Sequence, residues 1–287
     1  MDTIIEKVDP GHIDTDVMEQ AGKLIAEGEL VAFPTETVYG LGGDALDPDA
    51  SRRIYAAKGR PSDNPLIVHI ADFDDMKRVA REVPEQAKKL ADAFWPGPLT
   101  MIVWKSDAVP EATTGGMQTV AVRMPNHPVA LELIRRSGCL IAAPSANTSG
   151  RPSPTEAQHV AEDLSGKIAM ILDGGPVGIG IESTIIDLTE EKPMILRPGY
   201  ITPEMLSEVL QEEVVIDPGI IAADDTRKPK APGMKYKHYA PKAEMIIVDG
   251  AQDAVIHKIN ELTRNARKVR RLRSSQQMRR RIVTTHR

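Results

Sequence analysis

Aromatic side chains are scarce in this chain of 287 residues, where they make up 3% of the sequence. Proteins that bind single-stranded nucleic acid without sequence preference rely on aromatic platforms on which the bases stack. The sequence therefore argues against a surface of that kind. Its hydrophobic fraction of 41% must build a mainly aliphatic core, and the length is enough for one large or two ordinary domains.

A second cysteine is also lacking, so an internal disulfide is excluded. Cys139 precedes an apolar run, and a free cysteine in such a place is usually a buried structural thiol rather than a nucleophile. The seven histidines are scattered and no metal-binding motif occurs, so no resident metal is expected. No apolar run of membrane-spanning length and no signal segment is present, and we expect a cytoplasmic protein without a membrane anchor.

Acidic residues are missing from one part of the chain. Residues 264–287 contain ten Lys and Arg residues and no Asp or Glu, so the remainder carries 26 basic against 41 acidic residues. An acidic body does not track nucleic acid by counterion release, and any anion-binding charge must be gathered inside one cleft. The abrupt change near Asn265 predicts a disordered basic tail that resembles an out-of-frame ending. A tail that contacts tRNA is the alternative.

Apolar residues alternate between helical and strand periods, which predicts an α/β fold. Helices are predicted at 14–27, 47–57, 72–81, 84–94, 128–137, 155–164, 203–210 and 251–262. Strands are predicted at 30–33, 66–70, 99–104, 119–124, 140–143, 168–172, 183–188, 194–197 and 244–249. Residues 35–43 are expected to form a polar, glycine-supported loop. Periodicity fails from about 215 to 243, which indicates a linker.

Two polar motifs follow predicted elements. Lys58-x-Arg60 lies where a helix ends, and Ser145-x-Asn147 follows the apolar run 140–143. Each has a simple explanation, because cations complement a helix C-terminus and Ser or Asn caps a helix N-terminus. The pair together favours a functional interpretation, since cations combined with hydroxyl and amide groups recur where phosphates are held.

Two arginines lie in or at the end of predicted buried strands, Arg123 and Arg197. A buried guanidinium needs an anion, which is either a protein carboxylate or a ligand. His69 also lies on an apolar strand, where a satisfied core histidine is the default interpretation. The glycine-rich segment 173–180 lacks the lysine of a phosphate-binding loop and opens no helix. The cations and hydroxyls together indicate a cleft for a polyphosphate and a small carboxylate.

Four motifs carry a resemblance to a known family: Lys58-x-Arg60, Ser145-x-Asn147, the segment 35–41 and Lys237-His238-Tyr239-x-Pro241. With them the chain resembles the YrdC-like family of threonylcarbamoyl-AMP synthases, in its longer form, over residues 10 to about 262. The resemblance implies a twisted, mixed α/β sheet around a deep cationic cavity. It also implies a catalytic domain at 10–212, a linker at 213–243, the remnant of a Rossmann-like C-terminal domain at 244–263 and the tail at 264–287.

The activity that the resemblance implies is a nucleotidyl transfer. L-threonine, bicarbonate and ATP would give threonylcarbamoyl-AMP and pyrophosphate, with Mg²⁺ brought by ATP. The product would pass to a threonylcarbamoyl-transferase complex that modifies tRNA, so tRNA itself is an indirect partner.

The same resemblance assigns residues. For threonine it implies Thr37, His69, Arg123, Ala143 and Ser183. For ATP it implies Arg60, Asn64, Thr119, Ser145, Asn147, Ser153, Arg197 and Tyr239. Lys58 and Arg60 are expected to neutralise charge that develops on the phosphate. The segment 231–241, with Tyr236, His238 and Tyr239, is expected to close over the nucleotide as a lid.

Two other functions are open at this point. An RNA-binding module of the same fold would spread its positive side chains over an open face, whereas an enzyme would converge them in a pocket. A carbamoyl-transfer domain acting on carbamoyl phosphate resembles the family in fold but lacks the tyrosine-histidine linker.

Overall fold

A computed structural model describes residues 2–221, 246 and 248–265, in two units that divide between Ala240 and Pro241. The described strands, all in the first unit, are β1 Ile4–Lys7, β2 Val31–Phe33, β3 Gly40–Asp44, β4 Ile67–His69, β5 Leu99–Trp104, β6 Thr119–Arg123, β7 Ile141–Ala142, β8 Met170–Asp173, β9 Thr184–Asp187, β10 Met194–Arg197 and β11 Val215–Ile216. The first unit's helices are α1 Thr15–Ala26, α2 Pro48–Lys58, α3 Met76–Val79, α4 Glu85–Phe94, α5 Glu111–Thr114, α6 Pro128–Ser137, α7 Ala157–Leu164, α8 Pro203–Leu210 and α9 Pro218–Ile221. In the second unit the structure describes α10, Gln252–Asn265.

The strands of the first unit form one mixed sheet in the order β1-β8-β2-β3-β7-β4-β6-β5-β9-β10-β11. Neighbours β4 and β6 are parallel, whereas β5 and β6 are antiparallel. The predicted pairing of the strands at 183–188 and 194–197 is confirmed, because β9 and β10 are antiparallel neighbours. The predicted mixed α/β class is therefore confirmed.

The register of the central strands decides which side chains share a face. In the parallel pair β4 and β6, His69 lies opposite Arg123 and Val68 lies opposite Val122. Successive side chains of a strand point to opposite faces of a sheet. Val68 and Val122 belong to the large hydrophobic core. His69 and Arg123 therefore lie side by side on the opposite face, at the carboxyl ends of their strands.

Local capping accounts for the helices that the sequence predicts best. The side chain of Asp14 accepts hydrogen bonds from the first turn of α1, and that of Asp47 does the same for α2. Gly59 ends α2 in the left-handed conformation, with φ of 60°, which glycine adopts without a steric penalty. This helix end fixes Lys58 in the last turn of α2.

Other predicted elements differ from the structure. The expected loop at 35–43 contains strand β3, which begins at Gly40. A Cβ atom at Gly42 would lie 2.7 Å from Ile141 and 2.8 Å from Phe33, so glycine is required for β3 to pack between its neighbours. The single helix expected at 72–81 is a 3₁₀ turn at Phe73–Asp75 followed by the short α3.

Some elements were not predicted, namely β1, α5, β11 and α9. The helix expected at 251–262 is confirmed as α10. Half of the strand expected at 244–249 falls outside the described residues, and the described half, Ile246, Val248 and Asp249, is not in a strand. The segment 231–241 with Tyr239 and the tail beyond residue 265 also lie outside the described residues. Within the described part, no helix is long and apolar enough to cross a membrane.

Close approach of α1 and α6 gives a prediction about Gly22. A Cβ atom there would lie 2.8 Å from backbone atoms of Arg136 and Ser137. Helix propensity alone would make Gly22→Ala stabilising by about 1 kcal/mol. We expect instead a destabilisation of about 1–3 kcal/mol, because backbone cannot move aside as a flexible side chain does. Chemical denaturation measures the sign, with exposed Lys23→Ala in the same helix as the control; a more stable Gly22→Ala protein would contradict the packing argument.

Candidate active site

One cleft of the first unit gathers the predicted motifs. It holds about 720 Å³ of space that no protein atom fills, its mouth included. It is lined by Thr35, Thr37, Val38, Gly40, Lys58, Arg60, Ile67, His69, Arg123, Ala143, Pro144, Ser145, Asn147, Ser149, Gly150, Glu182, Ser183 and Arg197. Four of these described residues have basic side chains and one has a carboxylate, so the cleft is suited to anions although the body of the protein is acidic.

Most of the predicted site residues line this cleft. All five predicted for threonine do so, namely Thr37, His69, Arg123, Ala143 and Ser183. Those predicted for ATP or catalysis that do so are Lys58, Arg60, Ser145, Asn147 and Arg197. The described structure does not place Asn64, Thr119 or Ser153 among the lining residues, and Tyr239 lies outside the described residues.

The guanidinium of Arg123 is held from several directions and its residue is only 4% exposed. Its Nη1 donates to Oγ1 of Thr37 at 3.0 Å, and its Nε donates weakly to the carbonyl of Gly97 at 3.4 Å. Nη2 lies 2.7 Å from Oε1 of Glu36 in an ion pair that lacks hydrogen-bond geometry. The sequence required an anion for this arginine, and in this structure a protein carboxylate is in place.

The loop before β3 is held by its own hydroxyl groups. Oγ1 of Thr35 donates to the carbonyl of Val38 at 2.6 Å, and it accepts from the backbone N–H groups of Thr37 and Val38. Oγ1 of Thr37 lies 2.9 Å from that of Thr35. Because Thr35 Oγ1 uses its proton on Val38, Thr37 supplies the proton between the two hydroxyls and turns its lone pairs to Arg123.

His69 is neutral at physiological pH. Burial first, and then the positive charge of Arg123, lower its pKa to about 3. Nδ1 lies 3.1 Å from the carbonyl of Ile67, which can only accept, so Nδ1 carries the proton. With the proton on Nδ1, Nε2 of His69 is an acceptor, and the positive charge of Arg123 acts on the ring.

Buried neutral His69 makes stability depend on pH. Its pKa is depressed from 6.5 in the unfolded chain, so the stabilisation is complete above about pH 6.5 and is lost as the pH falls toward 3. We expect His69 to account for a loss of about 2 kcal/mol in unfolding free energy between pH 7.5 and 5. Denaturation curves should show that the unfolding free energy of His69→Gln falls less steeply with decreasing pH than that of the unsubstituted protein. Exposed His12→Gln should show the same pH dependence as the unsubstituted protein. Equal slopes for His69→Gln and the unsubstituted protein would contradict the burial of an uncharged imidazole.

Lys58 joins the two predicted motifs. Its Nζ donates to the carbonyl oxygens of Ser145 and Asn147 and lies 3.4 Å from Oδ1 of Asn147. The residue is 1% exposed, and its pKa is lowered well below the usual range, first by burial and then by neighbouring Arg60. The amine thus fixes the loop that follows β7 onto the end of α2.

The amide of Asn147 is also used inside this loop. Its Oδ1 accepts from the hydroxyl of Ser145 at 2.5 Å, and its Nδ2 donates to the carbonyls of Thr148 and Arg151. These bonds hold the loop rather than a ligand. The hydroxyl oxygen of Ser145 can still accept a hydrogen bond at the cleft surface.

Two further arginines, Arg60 and Arg197, complete the basic lining of the cleft. Nε and Nη2 of Arg197 donate to the carbonyl and hydroxyl oxygens of Ser183, both at 3.0 Å. Nε and Nη2 of Arg60 donate to the carbonyls of Asn64 and Pro65, at 3.3 and 3.1 Å. Arg60 and Arg197 are therefore held at the lining of the cleft by backbone carbonyls and, for Arg197, by a hydroxyl group as well.

Two acidic residues near the cleft were missed by the sequence reasoning. Glu182 lines it and accepts a hydrogen bond from the hydroxyl of Ser153 at 2.5 Å. Glu36 contacts Arg123 but is not among the lining residues. The position of Glu36 between Thr35 and Thr37, in the segment 35–41, was the one feature of the sequence that could have indicated a role for it. No sequence feature near Glu182 indicated that it lies at the cleft. Groups of three or more His, Cys, Asp or Glu residues that would hold a metal are absent among the described residues.

The fold and the cleft are those of an α/β enzyme, since four basic side chains, Lys58, Arg60, Arg123 and Arg197, converge in one pocket. The family model Sua5_yciO_yrdC, described as telomere recombination, matches residues 23–199. A second model, the C-terminal domain of threonylcarbamoyl-AMP synthase, matches residues 201–286. The chain belongs to the Sua5/YrdC family, which confirms the resemblance found in the sequence.

Relatives in this family are similar over most of the chain. A threonylcarbamoyl-AMP synthase of Pyrococcus abyssi is 58% identical over 243 residues, which cover 84% of this chain and 71% of that protein. The corresponding protein of Bacillus subtilis is 53% identical over 251 residues, or 87% and 72% of the two chains. The crystal structure of P. abyssi Sua5 complexed with L-threonine matches with a TM-score of 0.86 and 55% identity, over 91% of this chain and 76% of that one.

Proposed function

We propose that this protein joins L-threonine, bicarbonate and ATP into threonylcarbamoyl-AMP and releases pyrophosphate. The observation that carries the proposal is the meeting of two sets of groups in one cleft: an amino-acid-sized set around Arg123 and a phosphate-type set around Arg60 and Arg197. The enzyme class predicted from the sequence is confirmed by relatives, because the chain is 42–58% identical to three proteins named threonylcarbamoyl-AMP synthase.

Threonine fits the Arg123 side of the cleft. The guanidinium would take the substrate carboxylate in a charge-assisted contact. Neutral His69 offers a hydrogen-bond acceptor for the ammonium or hydroxyl group, and Ala143 leaves room where a larger side chain would not. Ser183 also lines the cleft, and its hydroxyl oxygen accepts a hydrogen bond from Nη2 of Arg197. The L-threonine in the P. abyssi structure supports this assignment.

The phosphates of ATP fit the other side of the cleft. Arg60 and Arg197 would neutralise the charge that develops on the α-phosphate and on pyrophosphate, and Ser145 would bind a phosphate oxygen. Lys58 would act by holding the loop of Ser145 in place, a role that its bonds to the carbonyls of Ser145 and Asn147 support. Mg²⁺ would come with the polyphosphate and screen its charge, since Glu182 is the one carboxylate among the described lining residues.

The reaction then needs no nucleophile from the protein. The free amine of threonine reacts with bicarbonate to give a carbamate and water. A carbamate oxygen attacks the α-phosphorus of ATP in line, one P–O bond forms, and the bond to pyrophosphate breaks. Catalysis is positioning of the reactants and neutralisation of developing charge. The product would pass to a threonylcarbamoyl-transferase complex in the cytoplasm, and tRNA would be reached through that complex.

Pyrophosphate release tests this function directly. With ATP, threonine and bicarbonate all present we expect steady release, and omission of any one should reduce it to the background rate. Release that does not depend on threonine would contradict the proposal, as would a requirement for carbamoyl phosphate in place of bicarbonate and threonine.

A further inference from the structure

Glu36 has no role among the residues assigned above. It lies between Thr35 and Thr37 but is not among the residues that line the cleft, and both of its carboxylate oxygens are buried. Burial of a charged carboxylate is costly unless the charge is paired. The buried negative charge of Glu36 therefore needs a partner that offsets this cost.

The partner of Glu36 is the arginine of the cleft. Oε1 lies 2.7 Å from Nη2 of Arg123, and the two side chains are 13% and 5% exposed. Neither oxygen of Glu36 accepts a hydrogen bond from the described part of the chain, and neither Nη2 of Arg123 nor Nδ1 of His127 has a hydrogen-bond partner there. The pair is thus held by charge in a space with little water, where electrostatic attraction is strong.

His127 is a second residue on which the negative charge of Glu36 acts. Burial lowers the pKa of His127, and the negative charge of Glu36 opposes that change. Glu36 therefore lies near both Arg123 and His127, and neither Glu36 nor His127 is among the residues that line the cleft.

Backbone contacts fix the position of Glu36. Its carbonyl accepts from the N–H of Ile179 at 2.8 Å, and the carbonyl of Thr37 accepts from the N–H of Gly180 at 3.0 Å. The glycine-rich segment 173–180, which is not a phosphate-binding loop, thus supports the loop that carries Glu36 and Thr37. These bonds fix the backbone from which the side chain of Glu36 reaches Arg123.

We infer that Glu36 is a positioning residue for the amino-acid substrate, which holds the guanidinium of Arg123 from behind while Thr37 and the cleft take its other edge. The inference rests on the proposed function, because it takes Arg123 as the group that binds the threonine carboxylate. A guanidinium anchored before the substrate arrives loses little conformational freedom on binding. Removal of the anchor should therefore weaken threonine binding specifically.

The test compares Glu36→Gln with Glu132→Gln. Both remove a carboxylate that lies 2.7 Å from an arginine nitrogen, but Glu132 pairs with Arg136 on the exposed side of α6. We expect Glu36→Gln to raise the KM for threonine by between about tenfold and about a hundredfold, as small displacements of positioning groups do. The KM for ATP should change less than about twofold, because the ATP side of the cleft keeps its contacts. Glu132→Gln should leave both constants unchanged.

A double-mutant cycle with Arg123→Gln shows whether Glu36 acts through Arg123. If it does, adding Glu36→Gln to Arg123→Gln should cause little further loss of threonine affinity, whereas independent effects would multiply. The inference is overturned by multiplying effects, by an unchanged threonine KM in Glu36→Gln, or by equal increases for threonine and ATP.

Two further measurements keep the outcomes separate. If Glu36→Gln does not fold, Glu36→Asp, which keeps the charge, decides: a raised threonine KM with an unchanged ATP KM supports the inference, and an unchanged threonine KM overturns it. Failure of the proposed function would appear in the unsubstituted protein as pyrophosphate release that is independent of threonine. Failure of this inference alone would leave that dependence intact.

Discussion

Arg123→Ala is expected to raise the threonine concentration needed for half-maximal pyrophosphate release by about a hundredfold or more, since loss of one partner of a buried charge pair costs about 2–5 kcal/mol. Arg123 is 4% exposed, so little water would be available to replace the proposed contacts with the substrate carboxylate. The ATP requirement should change much less. Arg123→Lys keeps the charge but loses the planar guanidinium. Its threonine requirement should therefore lie between those of the unsubstituted protein and Arg123→Ala.

The controls for Arg123 separate binding from folding. Arg123→Ala also leaves the buried carboxylate of Glu36 without its partner, which should lower the unfolding free energy by several kcal/mol, on the order of 3–5. Kinetics are therefore normalised to folded protein. Arg53, which pairs with Glu29 at 3.2 Å on the surface, provides the matched control, and Arg53→Ala should leave both constants unchanged. Equal losses for threonine and ATP, or no loss, would remove Arg123 from the threonine site.

Lys58→Met is expected to lower turnover by about a hundredfold, because the loop of Ser145 and Asn147 would lose the donor that fixes it and the site would loosen. Methionine keeps an unbranched apolar stem of similar length, so the effect reports the lost amine. Two backbone carbonyls lose their donor, and we expect a loss of stability of about 1–3 kcal/mol for each buried one. Lys58→Ala should be at least as severe.

Lys105 supplies the comparison for this experiment. It is also buried, at 8% exposure, and its Nζ donates to the carbonyl of Val109 at 3.0 Å, but it does not line the cleft. Lys105→Met should lower stability without lowering the turnover of the folded fraction. A turnover of Lys58→Met equal to that of the unsubstituted protein would return Lys58 to a structural role at the end of α2.

The sequence predicted the helix ends correctly where they depend on interactions between residues close together in the chain. The helix starts at Asp14 and Asp47 and the stop at Gly59 depend on residues within one turn, and the structure shows the expected caps. Strand β3 was missed because its glycines carry no hydrophobic period. The reason for Gly42 is the close packing of Phe33, from the neighbouring strand β2, and of Ile141, from a distant part of the chain.

The candidate site shows the same division. The sequence by itself determined that two arginines on buried strands need anions and that the motifs at Lys58 and Ser145 suit phosphates, because burial of a charge has a cost that any fold must meet. Only the tertiary structure decided that Lys58 holds the loop of Ser145, since that contact joins residues 87 positions apart. It also decided that the anion beside Arg123 is Glu36, 87 positions earlier in the chain. Such pairs depend on which strands become neighbours in the sheet, and strand order is set by packing of the whole domain rather than by any local pattern.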